Sequence, residues 1–276
     1  MGESAARQKQ LAKVAAADST TVSDFTDRFF REIQSRDRKD NKQVRRYFDA
    51  DILPHIGTKA MRDVTTEDVR SVIWRKKDHG HDAAAGQVRG LLKKLCDYAV
   101  TCGLLSFNPV LALPMRHVHR AVSRERNLSQ TEIKTFINAA YASNIRRQFK
   151  IGLHLILLTM VRKSELLLAK WGEVDLDAGE WHIPVENSKT GKPHIVYLSS
   201  QAVDLFKELK VLSGGSDLVM PGRGSLTKPF AHNAINSALK IALRGQEIPS
   251  FTIHDLRRTA STLLHENGWA SDVVEK

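Results

Sequence analysis

Apolar residues at helical spacing dominate the first part of the chain. Thr21 and Asp24 have the spacing of a helix-capping signal, and Phe25, Phe29 and Ile33 follow at steps that place them on one helical face. Comparable patterns predict further helices at about 42–52, 65–74 and 83–101. These patterns indicate an all-helical first domain.

The second part of the chain mixes helical and strand-like patterns. Ser129 and Glu132 have capping-box spacing, which predicts a new helix start after a stretch without periodicity. Helices are expected at about 132–142, 145–160, 164–169, 201–212, 231–244 and 254–267. Short β-branched or alternating stretches predict strands at 174–176, 180–184 and 194–198, with a turn at 187–193 between the last two. The expected fold is mainly α with a small antiparallel sheet.

These patterns divide the chain into four segments. Residues 1–18 are a polar, alanine-rich lead-in, and residues 19–112 form the helical domain. Residues 113–126 are basic and lack periodicity, so we expect a linker there. Residues 127–276 form the mixed domain.

Basic residues outnumber acidic ones. Lys and Arg total 42 against 31 Asp and Glu, which gives a formal net charge of +11. Such a charge attracts nucleic acid, but a basic protein without a nucleic-acid role fits it equally well. The longest apolar stretch, 151–161, is far below the ~20 residues that a membrane span needs. Cys96 and Cys102 lack metal-ligand spacing. We expect a cytoplasmic protein with no metal, cofactor or membrane partner.

Three basic clusters are candidates for phosphate chemistry. Arg162 follows an apolar helix, where an arginine is costly to bury unless it is paired, and Glu165 is spaced to pair with it. His254 and Arg257 share one face of a predicted helix, which suits a phosphate ligand. Lys189 lies at the predicted hairpin tip, from which a lysine can act as a general acid. Taken singly, each cluster is better explained by exposed surface residues.

Taken in order, the clusters resemble the active site of the tyrosine recombinase family of phage and genomic-island integrases. The stretch 159–166 is similar to the family's first-arginine motif, with Met160 in place of the usual glycine. Lys189 corresponds to the family's β-hairpin lysine, with Lys192 as a second choice, and 254–257 is similar to its His-x-x-Arg box. Three motifs in order are far more specific than any one of them.

The resemblance covers all but the lead-in, and it implies a helical core-binding domain followed by a mixed α/β catalytic domain. It implies a site-specific DNA recombinase or integrase that cuts and rejoins DNA through a 3′-phosphotyrosyl intermediate without metal. Arg162 and Arg257 would stabilise the charge that gathers on the phosphate, with Glu165 supporting the site. His254 would bind the phosphate or assist proton transfer, and Lys189 would protonate the departing 5′-oxygen.

The resemblance also implies the partners. These are double-stranded DNA attachment sites, a homo-tetramer assembled on DNA, and accessory DNA-bending proteins, in the nucleoid of a bacterial host that carries a prophage or another mobile element. The expected DNA contacts are Arg89, Lys93 and Lys94 on a helix and Arg116, His117 and Arg120 in the linker. Each of these is individually as well explained as a solvated surface residue.

The sequence departs from the family at the nucleophile. Its tyrosines all precede the His-x-x-Arg box, whereas the family's nucleophile follows that box; they are Tyr47, Tyr98, Tyr141 and Tyr197. His265 lies too close to the box to match the family's later histidine or tryptophan position. We therefore expect a chain truncated before the catalytic tyrosine, which binds DNA without cleaving it. An N-terminal arm-binding domain is expected to be missing as well.

Three other functions remain open on the sequence. The main one is a non-catalytic DNA-binding or regulatory protein that keeps the recombinase fold. A second is an enzyme similar to type IB topoisomerases, against which the integrase-like helical domain argues. An RNA-binding protein rests on charge alone and has no matching motif.

Overall fold

The computed structural model describes residues 20–35, 41–120 and 125–271. The lead-in predicted for residues 1–18 lies outside the described residues, as do 121–124 of the predicted linker and 272–276. The chain divides into two compact units, residues 1–123 and 124–276.

Helices build the described part of the first unit. They are α1 (Val22–Phe29), α2 (Lys42–Tyr47), α3 (Leu53–Ile56), α4 (Thr66–Asp78), α5 (Asp82–Thr101) and α6 (Met115–Val118). Wider π-helical turns follow α1 over Phe30–Gln34 and join α2 to α3 over Phe48–Ile52. The predicted helix starts at Thr21 and Thr65 are confirmed by capping boxes. Each threonine hydroxyl accepts a hydrogen bond from the backbone N–H of the aspartate three residues later, and that aspartate's carboxylate accepts one from the threonine backbone N–H.

Aromatic side chains form much of the core of the first unit. Phe25, Phe29 and Phe48 are buried, and the Phe25 ring stacks on Tyr98 with centroids 5.4 Å apart. Helix α5 closes this core with an apolar stripe that includes Leu92. Burying each such side chain stabilises the fold by about 1.5–3 kcal/mol relative to leaving it in water.

Helix α6 lies within the segment predicted to be a linker. Val118 is buried in the core of the first unit. The Lys77 Nζ of α4 donates a hydrogen bond to the His117 carbonyl oxygen at 2.8 Å. Because this turn is held by the first unit, the linker predicted for 113–126 starts too early, and its first residues belong to the helical unit.

Helices and one small sheet build the second unit. Its helices are α7 (Gln130–Ala142), α8 (Arg147–Thr159), α9 (Lys163–Leu168), α10 (Ser200–Leu212), α11 (Ala234–Ala242) and α12 (Ile253–Glu266). The strands β1 (Val174–Asp175), β2 (Glu180–Ile183) and β3 (His194–Tyr197) form an antiparallel sheet in that order. Trp181 of β2 is buried against Phe206 of α10, with ring centroids 5.6 Å apart. The predicted fold class, mainly α with a small antiparallel sheet, is confirmed.

Helix α8 occupies the centre of the second unit. It contacts α7, α9, α10, α11 and α12, and its residues Ile151, Leu155 and Ile156 are fully buried. These contacts hold α8, α9 and α12 in one compact unit. No described helix is long and apolar enough to cross a membrane.

Candidate active site

Arg162 lies in the tight turn between α8 and α9. Helix α8 ends at Thr159, and Met160 reverses the chain in the left-handed conformation, with φ 55° and ψ 17°. Among the described residues, Met160 is the one residue other than glycine with a positive φ. Buried Val161 then anchors the turn, and Arg162 precedes α9 in extended conformation as its N-cap residue. The left-handed position explains why a glycine suits this point of the turn.

Glu165 holds the Arg162 side chain in place. Its Oε1 accepts a hydrogen bond from Arg162 Nη1 at 2.7 Å, and its Oε2 accepts one from the Arg162 backbone N–H at 2.7 Å. Glu165 is only 1% exposed. A buried carboxylate is costly unless it is paired, so this double contact both satisfies the acid and orients the guanidinium.

The start of α12 orients His254 and Arg257. Asp255 caps the helix, because its Oδ2 accepts bonds from the Thr252 backbone N–H and hydroxyl, each at 2.8 Å. Ile253 and Leu256 are buried in the core. With those residues turned inward, the exposed His254 and half-buried Arg257 share the remaining face.

A second set of bonds secures the Asp255 turn from behind. Buried Thr259 donates its hydroxyl to the Asp255 carbonyl oxygen at 2.7 Å and accepts the Leu128 backbone N–H at 2.9 Å. The Asp255 carboxylate also lies 3.6 Å from Arg258 Nη1. Arg258 is therefore a partner of the carboxylate that caps the start of α12.

These two turns meet at a pocket of about 290 Å³. It is lined by Val161, Arg162, Lys163, Ser164, Asn236, Thr252, Ile253, His254 and Arg257. The fold thus brings Arg162, His254 and Arg257 together from two helix starts that are distant in sequence. Among the described residues, no His, Cys, Asp and Glu side chains are grouped as metal ligands would be.

The pocket is crowded with positive charge. Burial is the main effect that lowers the pKa of Arg257; the charge of Arg162 lowers it further, and Glu165 acts against the shift. No hydrogen bond or ion pair joins the Arg257 guanidinium to another described residue. An arginine remains charged in proteins, so this half-buried group presents donors without an acceptor. An anion with several acceptor oxygens fits that arrangement.

Lys189 does not line this pocket. It lies exposed on the turn between β2 and β3, as does Lys192. The base of the turn is ordered by the backbone bond from Ser188 N–H to the Pro184 carbonyl at 3.1 Å and by left-handed Gly191. The structure therefore brings three of the four predicted catalytic residues together and leaves the lysine apart.

Arg89, an expected DNA contact, does not project from α5 as the sequence analysis assumed. Arg89 is only 8% exposed, and its Nε donates a hydrogen bond to the Leu113 carbonyl oxygen at 2.5 Å. It follows Ala85 by one helical turn and precedes buried Leu92, so it lies on the core side of α5. That spacing is visible in the sequence and would have predicted the outcome.

The other predicted DNA contacts are accessible. Lys93 pairs with Asp97 at 2.6 Å across one turn of α5, and Lys94 is exposed beside it. Arg116 and His117 are exposed on α6, and Arg120 is exposed just after it. These positions are compatible with a DNA surface, and their role in binding stays a prediction.

The pocket residues that were not predicted include Lys163 and Asn236. Lys163 is the first residue of α9, and Asn236 lies on α11 next to buried Ile235. Both are half-buried. Lys163 follows directly after the arginine motif, so it was within reach of sequence reasoning. Asn236 has no local signal, because it reaches the pocket through the packing of α11 against α7 and α8.

Family profiles match both units. The Phage integrase family matches residues 126–276, and the Phage integrase central domain matches residues 23–115. The chain belongs to the phage integrase family. The resemblance seen in the sequence motifs is thereby confirmed.

Relatives of known name are similar over most of the chain. The integrase of Enterobacteria phage P4 is 30% identical over 247 residues, which cover 85% of this chain and 56% of the relative. The prophage integrase IntZ of Escherichia coli K12 is 32% identical over 235 residues, covering 85% and 57%. The chain thus spans a little over half the length of these relatives.

Solved structures share the fold. A lambda integrase dimer bound to a COC′ core site has a TM-score of 0.75 at 20% identity, covering 97% of this chain and 76% of that chain. The Tn1549 transposon integrase in complex with circular intermediate DNA has a TM-score of 0.75 at 15% identity, covering 93% and 91%. At these identities the likeness concerns the fold alone.

Proposed function

We propose that this chain is the core-binding and phosphate-binding part of a tyrosine-type site-specific recombinase that integrates and excises DNA. One observation carries the proposal: Arg162, His254 and Arg257 line a single pocket whose cations outnumber its carboxylates. This is an arrangement for an anion, and family membership makes a DNA phosphodiester the appropriate one.

In the proposed reaction, a tyrosine hydroxyl attacks the scissile phosphorus. The bond from phosphorus to the 5′-oxygen breaks, the tyrosine loses its proton, and the departing oxygen gains one, which leaves a 3′-phosphotyrosyl link and a free 5′-hydroxyl. Arg162 and Arg257 stabilise the charge that gathers on the non-bridging oxygens, and His254 donates a hydrogen bond to the phosphate. Glu165 keeps Arg162 oriented for that task.

The proton donor is proposed to be Lys189. The strands that flank it are antiparallel neighbours, so Lys189 lies on the connecting turn of one hairpin. A general acid must come within hydrogen-bond distance of the leaving oxygen, so Lys189 acts only if bound DNA and the hairpin approach each other. Lys192, exposed on the same turn, is the alternative donor.

The proposed partners follow from the relatives. Lambda integrase has been solved as a dimer bound to a core site and as a tetramer bound to a Holliday junction. We propose that this protein likewise binds double-stranded attachment sites as a homo-tetramer, assisted by accessory DNA-bending proteins. Its place of action would be the bacterial cytoplasm, on the nucleoid DNA of a host that carries the mobile element.

The test uses the complete coding frame of the protein and a suicide substrate that carries its attachment site. A nick in that substrate releases the 5′-hydroxyl fragment, so that a covalent protein–DNA adduct accumulates. Arg162→Ala and Arg257→Ala should each lower the rate of adduct formation by about 10²-fold or more, because each removes preorganised charge from the transition state.

Arg244→Ala is the matched control. Arg244 is exposed in the second unit and is not among the residues lining the pocket, so its loss should leave the rate unchanged. Adduct formation at the wild-type rate in both pocket variants would reject the proposed roles of the arginines. Absence of any adduct from the complete protein, combined with tight duplex binding, would favour a regulatory DNA-binding protein instead.

A further inference from the structure

Lys163 is a cation of the pocket that the proposed reaction does not use. It is the first residue of α9 and lines the pocket directly beside Arg162. Its side chain is half-buried, and no hydrogen bond or ion pair joins its amine to another residue that the structure describes. Burial lowers the pKa of this amine. Partial burial of a charged amine without an ionic partner costs desolvation free energy, and a bound anion would offset that cost.

The acidic groups near the pocket are already engaged. Both carboxylate oxygens of Glu165 accept hydrogen bonds from Arg162. Asp255 turns its carboxylate to the Thr252 cap and to Arg258. Neither carboxylate is bonded to Lys163, so the local charge around it is positive.

We infer that Lys163 is a further phosphate-binding residue, which holds the target phosphodiester together with Arg162 and Arg257. The inference rests on the proposed function and assigns a third cation to the same site. Its geometry is more direct than that of Lys189, because Lys163 lines the pocket while Lys189 lies exposed on the turn between β2 and β3.

The chemistry of the amine suits this task. Two guanidinium groups bind a phosphate through flat pairs of donors, whereas an ammonium group is a compact point charge on a flexible stem. Lys163 can therefore reach an oxygen that the two arginines leave open. The partial burial of the pocket strengthens each such contact, because fewer water molecules compete for it.

The first test measures duplex binding by this chain as a function of salt. Replacing one phosphate contact lowers the slope of log affinity against log salt concentration by about 1. Lys163→Met, which keeps an unbranched stem and removes the charge, should show that decrease and Lys163→Arg should recover most of it. Lys207→Met is the matched control, because Lys207 lies on α10 with a side chain 63% exposed.

The second test observes the amine itself. Lysines carrying ¹³C-methyl groups give separate NMR signals whose pH titrations report each amine, and the Lys163→Met spectrum identifies the signal of Lys163. Duplex DNA, and separately inorganic phosphate, should raise the pKa of Lys163 and leave that of Lys207 unchanged, because only Lys163 gains an anionic partner. A purely structural lysine would not respond to either ligand.

The outcomes separate the two proposals. Suppose the wild-type chain binds duplex DNA with a steep salt dependence. If Lys163→Met then keeps the wild-type slope, and neither ligand changes the pKa of Lys163, the inference about Lys163 is overturned and the proposed function stands. If the wild-type chain does not bind duplex DNA, both fail. A changed slope together with a responsive signal supports both.

Discussion

At the scale of single residues, Met160 is the clearest case of a position under strain. A residue with a Cβ in the left-handed region costs about 1–2 kcal/mol that glycine does not pay. Met160 adopts φ 55° to turn the chain from α8 toward Arg162. The site therefore depends on a turn that its own sequence does not favour.

At position 160, glycine should give a more stable protein than alanine, although alanine is the better residue inside a helix. We expect Met160→Gly to be more stable than Met160→Ala by about 1 kcal/mol, because both lose the side chain but only glycine relieves the backbone. Urea unfolding of the two variants measures the difference. Equal stabilities, or a more stable alanine variant, would show that the turn is not strained at this residue.

Glu132 gives a pH-dependent prediction. Its carboxylate pairs with Arg126 Nη2 at 2.5 Å and accepts the Ser129 backbone N–H at 2.8 Å. The Arg126 bond, followed by the Ser129 bond, lowers the pKa of Glu132 to about 2. A carboxyl with a lowered pKa stabilises the fold above its unfolded value of 4.5 and loses that contribution as the pH falls toward 2.

Glu132→Gln should therefore lower the free energy of unfolding at neutral pH and converge with the wild type in acid. The measurement is the difference between the two unfolding free energies at several pH values between about 6 and 2. A difference that stays constant across this range would mean that the carboxylate charge contributes nothing to stability.

The sequence predicted the position of a side chain well where bonds to nearby residues determine it. It predicted the position less well where packing between distant elements determines it. Arg162 and Glu165 were paired from their spacing, and their bonds run within one turn of chain. Asn236 could not be placed at the pocket, because its position depends on the packing of α11. Arg89 was misplaced for another reason. Its charge led to the prediction that it faces solvent, whereas its helical spacing places it on the buried side of α5.

At the scale of elements, α5 is held close to the segment that follows α6. A Cβ built on buried Gly86 would lie 3.2 Å from the Cβ of His119, whereas one built on Gly90 meets nothing within 4 Å. Both glycines lie inside α5. Gly86 therefore allows a close approach, and Gly90 is a helix position without that function.

Alanine should distinguish the two glycines. We expect Gly90→Ala to raise the free energy of unfolding by about 0.5–1 kcal/mol, because alanine favours the helix. Gly86→Ala should give no such gain, because its methyl group would lie only 3.2 Å from the His119 Cβ and crowd it. Chemical unfolding of both variants measures the effect. Equal gains would show that the approach of the two segments is not tight.

Helix starts were predicted better than helix continuity. The capping boxes at Thr21, Thr65 and Ser129 lie within four residues of chain and are formed in the structure. The helix predicted for 42–52 is interrupted by a π-helical turn over Phe48–Ile52. Phe48 and Ile52 are both buried in this turn, and no local spacing in the sequence distinguishes it from a regular α-helix.

At the scale of the whole molecule, charge and the position of the tyrosines give one prediction. We expect the polypeptide of these 276 residues, with its net charge of +11, to bind duplex DNA with an affinity that falls steeply as salt is added. It should form no covalent adduct, because none of its tyrosines lines the pocket. The Tyr98 hydroxyl donates to Glu32, and that of Tyr141 is bonded to His154.

Fluorescence anisotropy at several salt concentrations measures the binding, and denaturing gel electrophoresis of the same mixtures detects any adduct. An affinity that does not depend on salt would contradict a phosphate-based interface. A covalent adduct formed by this polypeptide would identify a nucleophile outside the pocket.

The two cysteines both lie in the first unit, and their reaction with a thiol reagent can measure how often that unit opens. Cys96 is 1% exposed, and burial raises the pKa of its thiol to about 12. A thiol-specific reagent can reach half-buried Cys102 in the folded unit, whereas it reaches Cys96 only when α5 separates from the core. The slow phase of labelling reports how often the first unit opens, without any engineered label. Repeated with DNA present, it would reveal whether ligand binding tightens that unit.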